Sequence, residues 1–137
     1  MAELKNPIKE AERYLANARQ ILSEKAGKDG NYYQNKKYVK MAGDTAWKGV
    51  LLALDAVTDV RKNLKRWQRL DIKDYQDAVA QKDRKMTKPL YSTYQSLYLY
   101  LGYDGNLSYN IVQASLEQGE EIISWAEQQY NHNKAAE

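Results

Sequence analysis

The 137-residue chain contains no cysteine and no phenylalanine, one histidine and two prolines. Without cysteine it forms no disulfide, no thiolate zinc site and no cysteine nucleophile, and this composition fits a reducing compartment. Histidine-dependent catalysis needs a base next to a nucleophile, and the metal sites of helical bundles need inward-facing Glu-x-x-His pairs. The sole histidine, His132, instead lies in the polar stretch NHNKAAE. We therefore expect no catalytic residue, no metal and no cofactor, and a protein that is not an enzyme.

Long apolar runs are also missing. The longest one, VLLAL at residues 50–54, is far shorter than the ~20 residues that a membrane-spanning helix needs. The segment MAELKNPIKE lacks the apolar centre that is typical of a signal peptide. The net charge is only +3, from 21 basic and 18 acidic residues, so the overall balance does not favour nucleic acid. These features predict a cytoplasmic protein that does not bind a membrane.

The remaining pattern is helical. Strand-like alternation is short, whereas apolar residues recur at steps of three and four along five segments. Pro7 and Pro89 both lie where a helix begins, a position that needs no proline N–H. The pattern predicts one domain over residues 1–137, an all-α antiparallel bundle of about five helices. Their predicted spans are about 7–26, from about 35 past 56, from 71 onward, about 89–101 and about 107–130, followed by a frayed tail from about 131.

The second predicted helix is apolar on two faces and should therefore be the central helix of the bundle. Small residues on one face, among them Ala42 and Gly49, allow a neighbouring helix to approach closely. The apolar stripe continues through Val60, Leu64 and Trp67, which predicts that the helix runs on or restarts after Asp59.

Five cations lie opposite this continued stripe and cover about 140° of the predicted helix at 100° per residue. We call them the basic arc; its members are Arg61, Lys62, Lys65, Arg66 and Arg69. Such an arc is suited to neutralising nucleic-acid phosphates. The alternative is the solvated face of an amphipathic helix, which is the more common outcome for charge runs.

Six of the twelve tyrosines lie between Pro89 and Tyr109. Three of them, Tyr91, Tyr94 and Tyr98, alternate with leucines within an arc of about 120° on the fourth predicted helix. One interpretation is a buried face whose hydroxyls reach the rim of the core. The other is a tyrosine-lined cleft for a flat ligand. The helical spacing favours the buried face. The lack of phenylalanine keeps a polar cavity as the alternative.

Carboxylates offer a weaker signal. Glu117, Glu120 and Glu121 are spaced to cluster on one helix face, where they would form either a cation site or, more commonly, a solvated surface. Asp44 and Asp55 share a face of the second helix but are three turns apart, at about 5.4 Å per turn. They are therefore too distant to act as a catalytic pair.

The segment KYVKMAGDTAWKGVLLALDAV, residues 37–57, resembles the second helix of HEPN-type bundles. AERYLANARQILSE, residues 11–24, is similar to the first helix of that superfamily, and NIVQASLEQGEEIISWAE, residues 110–127, to a late one. The resemblance implies a helical bundle that self-associates or pairs with other proteins. A family of small helical proteins from Bacteroides-type bacteria, with no assigned function, is a closer match.

Many HEPN proteins are ribonucleases or toxin components whose active site is an Arg, four to six residues, and then a His. Pairing with His132 would require an arginine at position 125, 126 or 127, where this sequence has Trp125, Ala126 and Glu127. The catalytic pair therefore does not carry over. We predict a non-catalytic helical module that interacts with a protein partner or with itself. The alternative is nucleic-acid binding through the basic arc, followed by an enzyme with an unrecognised carboxylate site.

Overall fold

The computed structural model describes residues 6–62, 64–65 and 68–135. Its helices are α1 (Pro7–Ile21), α2 (Lys36–Val57), α3 (Ile72–Lys82), α4 (Thr87–Thr93) and α5 (Tyr109–Ala135). Wider π-helical turns extend α1 over Leu22–Ala26 and α4 over Tyr94–Tyr103, and a short 3₁₀ turn, Arg84–Met86, leads into α4. The all-α bundle of about five helices is confirmed.

Local capping explains where the helices start. The Asn6 side chain accepts hydrogen bonds from the Ile8 and Lys9 amides at 2.9 and 3.3 Å, and Pro7 occupies the first turn of α1. Asp71 and Asp74 cap α3 by exchanging side-chain to backbone hydrogen bonds of 3.1 and 2.9 Å. Such caps satisfy amide groups that the first helical turn would otherwise leave without acceptors. Both predicted starts are confirmed.

α2 is the central helix, as predicted, and packs against α1, α5 and the π-helical part of α4. Two glycines make these contacts close. A Cβ atom at Gly43 would lie 2.6 Å from the Gly102 nitrogen, and one at Gly49 would lie 2.9 Å from the Ala11 oxygen. The fully buried residues of α2 include Val39, Ala42, Ala46, Val50, Ala53 and Leu54.

A small hairpin, which we did not predict, follows α1. Strands β1 (Lys28–Asp29) and β2 (Tyr32–Tyr33) pair antiparallel around Gly30, whose φ is 60°. The hairpin is tied to the start of α5, because the Tyr109 amide donates to the Asn31 carbonyl at 2.9 Å. Each strand has only two residues, too few to produce an alternating pattern in the sequence.

The predicted continuation of α2 is wrong. The helix ends at Val57, and Thr58 is extended with φ −122° and ψ 166°. The Thr58 hydroxyl donates to the Leu54 carbonyl at 2.8 Å, so a side chain satisfies a group at the helix end. Residues 58–62, 64–65 and 68–70 are not helical, and Asn63, Arg66 and Trp67 lie outside the described residues.

α5 is longer than predicted and continues to Ala135, so the frayed tail is wrong for residues 131–135. The half-buried Tyr130 ring packs against the core, and the Lys134 ammonium lies 5.6 Å from its centroid. This contact joins positions one turn apart and supports the last turns of the helix. In the part of the chain that the structure describes, no helix is long and apolar enough to cross a membrane.

Candidate functional site

A cleft with a volume of about 440 Å³ opens between α2, the start of α3 and the π-helical part of α4. We call it the aromatic cleft. Its volume falls within the range of roughly 300–1,000 Å³ that is usual for ligand pockets. Apolar and aromatic side chains form most of its walls, and charged groups lie among them. Its lining residues are Asp44, Trp47, Lys48, Leu51, Leu70, Asp71, Ile72, Tyr75, Tyr94 and Tyr98.

The aromatic rings form one connected cluster. Tyr94 stacks on Tyr98 with centroids 5.3 Å apart and an interplanar angle of 16°. Trp47 meets Tyr94 edge-on at 5.7 Å, and Tyr91 meets Tyr94 in a similar way at 5.8 Å. Trp47 is 7% exposed, whereas Tyr98 is 43% exposed. The cluster therefore has a buried base and an accessible outer ring.

The π-helical geometry explains why the tyrosines are less buried than their spacing suggested. A π-helix closes i to i+5 hydrogen bonds, so its residues do not follow the 100° step of an α-helix. Ser96 consequently occupies a buried position, while Tyr98 is 43% exposed. Tyr91, which precedes the π-helical turns, is 39% exposed. The buried-face interpretation is wrong for Tyr91 and Tyr98. Of the three predicted cleft residues, Tyr94 and Tyr98 line the aromatic cleft, whereas Tyr91 lies beside it and contacts only the Tyr94 ring of the cluster.

Asp44 contributes an exposed carboxylate to this cleft. Among the described residues it forms no hydrogen bond and no ion pair, and burial raises the pKa of Asp44 although Lys48 and Lys40 act to lower it. A Cβ atom at Gly102 would lie 2.5 Å from the Asp44 Oδ1 atom, so the glycine makes room for the carboxylate. Asp44 therefore retains its capacity to accept hydrogen bonds from a ligand.

A hydrogen-bonded network holds one wall of the cleft in place. The Tyr75 hydroxyl of α3 donates to Asp55 Oδ1 of α2 at 2.8 Å, and the Arg61 Nε atom lies 3.1 Å from Asp55 Oδ2. Burial, together with this hydrogen bond to a carboxylate, raises the pKa of Tyr75 well above its usual value. The network joins α3 to α2. Because Tyr75 also lines the cleft, it holds this wall in position.

The basic arc does not form as predicted, because the helix that would carry it ends at Val57. Arg61 pairs with Asp55. Lys62, Lys65 and Arg69 are exposed but lie in non-helical segments, so they share no helix face. Arg66 lies outside the described residues. A role for these cations in binding stays a prediction.

The glutamate cluster lines a separate groove between α1 and α5. Glu117, Glu120 and Glu121 lie there with Glu12, Arg19 and Glu127 around a volume of about 920 Å³. Arg19 lies 3.3 Å from Glu120, and burial, followed by a hydrogen bond with Glu127, raises the pKa of Glu12. In residues 6–62, 64–65 and 68–135, no group of three or more His, Cys, Asp or Glu side chains is placed to hold a metal ion.

Comparison with known proteins identifies the family. The profile of DUF5618, a domain of unknown function, matches residues 6–128. The chain belongs to the DUF5618 family. The chain is also similar to a solved structure, a protein of unknown function from Dyadobacter fermentans, with 40% sequence identity and a TM-score of 0.80. That similarity covers 90% of this chain and 95% of the other. No curated protein matches the chain.

The predicted relationship to a small helical family of unknown function is thereby confirmed. All lining residues of the aromatic cleft, from Asp44 to Tyr98, fall inside the matched DUF5618 range. Sequence reasoning found two tyrosines of the cleft but missed Trp47, Asp44 and Asp71. The sequence offered a signal for Trp47, because α2 is apolar on two faces and an apolar side chain on either face can line a cavity.

Proposed function

We propose that this DUF5618 protein is a non-catalytic interaction module that binds a partner protein through the aromatic cleft. One observation carries the proposal: the exposed Tyr98 ring stacks on Tyr94, which packs on the buried Trp47, and Tyr98 lines the same cleft as the Asp44 carboxylate. Interaction hot spots are enriched in tyrosine and tryptophan, because these side chains offer a large rigid surface together with a polar group.

The titratable groups of the cleft favour binding over catalysis. Neither histidine nor cysteine lines it. The Asp71 Oδ1 atom already accepts a hydrogen bond from the Asp74 amide at 3.1 Å. Nucleophilic catalysis requires a nucleophile and a base in hydrogen-bond contact, and the lining residues supply no such hydrogen-bonded pair. The cleft instead combines apolar area with a few polar groups, which is the composition of a recognition surface.

The HEPN resemblance supports the same proposal, because such bundles pair with proteins or with themselves. A HEPN-like fold, self-association and a cytoplasmic location remain predictions.

Partner capture with two matched variants tests the proposal. The immobilised wild type, Tyr98→Ala and Tyr100→Ala proteins are each exposed to lysate of the native host. Tyr98 and Tyr100 are 43% and 47% exposed on the same helix, but Tyr100 does not line the aromatic cleft. We expect a partner that wild type and Tyr100→Ala retain and that Tyr98→Ala loses. If Tyr98→Ala retains every partner in full, the cleft is not the interaction surface.

A further inference from the structure

We propose that the aromatic cleft recognises an arginine side chain of the partner polypeptide, an inference that rests on the proposed function. The guanidinium group would lie against the Tyr98 ring and form hydrogen bonds with the Asp44 carboxylate. This assigns a ligand chemistry, a planar cation on a peptide, to a site that sequence patterns indicated only as a cleft for a flat ligand.

The charges of the cleft favour a cation. Asp44 and Asp71 contribute two carboxylates to the lining, and Lys48 contributes one ammonium. Lys40 lies outside the lining but also acts on Asp44. Asp71 uses one oxygen to cap α3, whereas the exposed Asp44 carboxylate accepts no hydrogen bond from the described residues. A guanidinium group would give Asp44 hydrogen-bond donors that no described residue supplies, and charge-assisted hydrogen bonds of this kind are among the strongest in proteins.

Lys48 does not occupy the position that we assign to the ligand. It lies one helical turn after Asp44, yet no ion pair within 4 Å joins the two residues. Its side chain is exposed, and a lysine ammonium stands on a flexible four-carbon stem that is strongly hydrated. The Lys48 ammonium can therefore remain in solvent while a ligand approaches Asp44.

The aromatic cluster favours arginine over lysine. The faces of aromatic rings are electronegative and attract cations. A guanidinium group is planar, so it stacks on a tyrosine ring and still forms two parallel hydrogen bonds with a carboxylate. The exposed Tyr98 ring and the Asp44 carboxylate line the same cleft, which provides both kinds of contact together.

The helix end beside Asp44 also favours a cation. Gly102 lies in the last turn of the helix that begins at Thr87, and a Cβ atom there would meet the Asp44 carboxylate. The C-terminal end of a helix carries a partial negative charge, which stabilises cations nearby. A cation at Asp44 would therefore interact favourably with both the carboxylate and the helix end.

Titration with short blocked peptides tests the inference. The probes are acetyl-Gly-X-Gly-amide peptides in which X is arginine, lysine or citrulline, the neutral analogue of arginine. Their binding to the full-length chain is followed by two-dimensional NMR. We expect the arginine peptide to bind about tenfold more tightly than the citrulline peptide and more tightly than the lysine peptide, with shifts at Asp44 and Tyr98.

Two variants and one control give the test its specificity. Asp44→Asn keeps the shape of the side chain and should abolish the difference between arginine and citrulline. Tyr98→Ala should weaken the arginine peptide several-fold. Glu117→Gln removes an exposed carboxylate from the groove between α1 and α5, and it should leave the arginine affinity unchanged if binding is local to the cleft.

Three outcomes would overturn the inference. Equal affinities for arginine and citrulline would show that the cleft does not select a cation. Shifts confined to the groove between α1 and α5 would place the cation elsewhere, and failure of all three peptides to bind would remove the evidence for arginine recognition. None of these outcomes decides the proposed function, because partner capture by wild type and Tyr98→Ala tests that function separately.

Discussion

The contact between α2 and the π-helical part of α4 yields a sharp prediction at Gly43. A Cβ atom added there would lie 2.6 Å from both the Gly102 nitrogen and the Leu101 Cβ atom, and 2.8 Å from the Leu97 oxygen. Ordinary contacts of a Cβ atom begin at 3.4 Å, so the clash amounts to nearly 1 Å. Two of the three atoms belong to the backbone, and relief therefore requires the helices to separate.

The expected cost of Gly43→Ala follows from two opposing effects. Alanine is favoured over glycine inside a helix by about 1 kcal/mol, which would stabilise α2. Overpacking of a tight core costs about 1–3 kcal/mol, and a clash with backbone belongs at the upper end of that range. We therefore expect Gly43→Ala to lower the free energy of unfolding by roughly 1–2 kcal/mol.

Gly119→Ala is the matched control. Gly119 is also buried in the middle of a helix, but the nearest atom to its added Cβ is the Leu97 Cδ1 atom at 3.0 Å. This atom ends a flexible side chain, so it can move aside while the helix retains the gain of about 1 kcal/mol from alanine. The control should be as stable as wild type or slightly more stable.

Urea denaturation followed by circular dichroism measures the free energy of unfolding of both variants. The two values are comparable if this free energy falls with urea concentration at the same slope in each variant. If Gly43→Ala is as stable as Gly119→Ala, the close contact between α2 and the segment around Gly102 does not exist in solution. The position that the structure gives the Asp44 carboxylate would then lose its support.

Four further predictions concern single features of the molecule. Tyr75→Phe removes the hydrogen bond to a carboxylate and should lower the free energy of unfolding in urea by about 1–2 kcal/mol, whereas Tyr103→Phe, at a side chain of which 75% is exposed, should leave it unchanged. Asn6→Ala removes the cap of α1 and should cost about 1 kcal/mol in the same assay. Burial raises the pKa of Asp44 above its unfolded value, so the ionised carboxylate lowers the stability of the folded protein at neutral pH. Asp44→Asn should therefore be more stable than wild type at neutral pH. Denaturation at a series of pH values should show this difference fading as the pH falls below the usual aspartate range. A purified sample should neither cleave single-stranded RNA nor bind RNA or DNA tightly at physiological salt, whereas salt-sensitive, sub-micromolar binding that is lost on charge reversal of the basic arc would support the nucleic-acid alternative.

Features that depend on local chemistry were predictable from the sequence. The starts of α1 and α3 follow from Asn6–Pro7 and from the Asp71–Asp74 pair, because a helix cap involves residues that are adjacent in the chain. Gly27, with its φ of 65°, likewise marks the end of the first helical segment. The central position of α2 followed from its two apolar faces.

Features that depend on alternative backbone conformations, or on contacts between residues far apart in the chain, were not predictable. The stripe beyond Ala56 fits a helix, but Thr58 adopts an extended backbone and its hydroxyl satisfies the Leu54 carbonyl instead. The π-helical turns after Thr93 change the direction of the tyrosines, and a pattern read at 100° per residue contains no signal for them. The aromatic cleft joins Trp47 to Tyr94 from two helices, a long-range contact that periodicity does not reveal.

The most direct test of the cleft as a binding surface is the affinity of the captured partner for three purified proteins: wild type, Tyr98→Ala and Tyr100→Ala. Loss of a tyrosine from an interaction hot spot costs about 2 kcal/mol or more, which corresponds to a loss of affinity greater than tenfold. We predict such a loss for Tyr98→Ala and a change of less than about twofold for Tyr100→Ala, since surface changes outside a contact have small effects. Equal affinities for the two variants would contradict the assignment of the aromatic cleft as the binding surface.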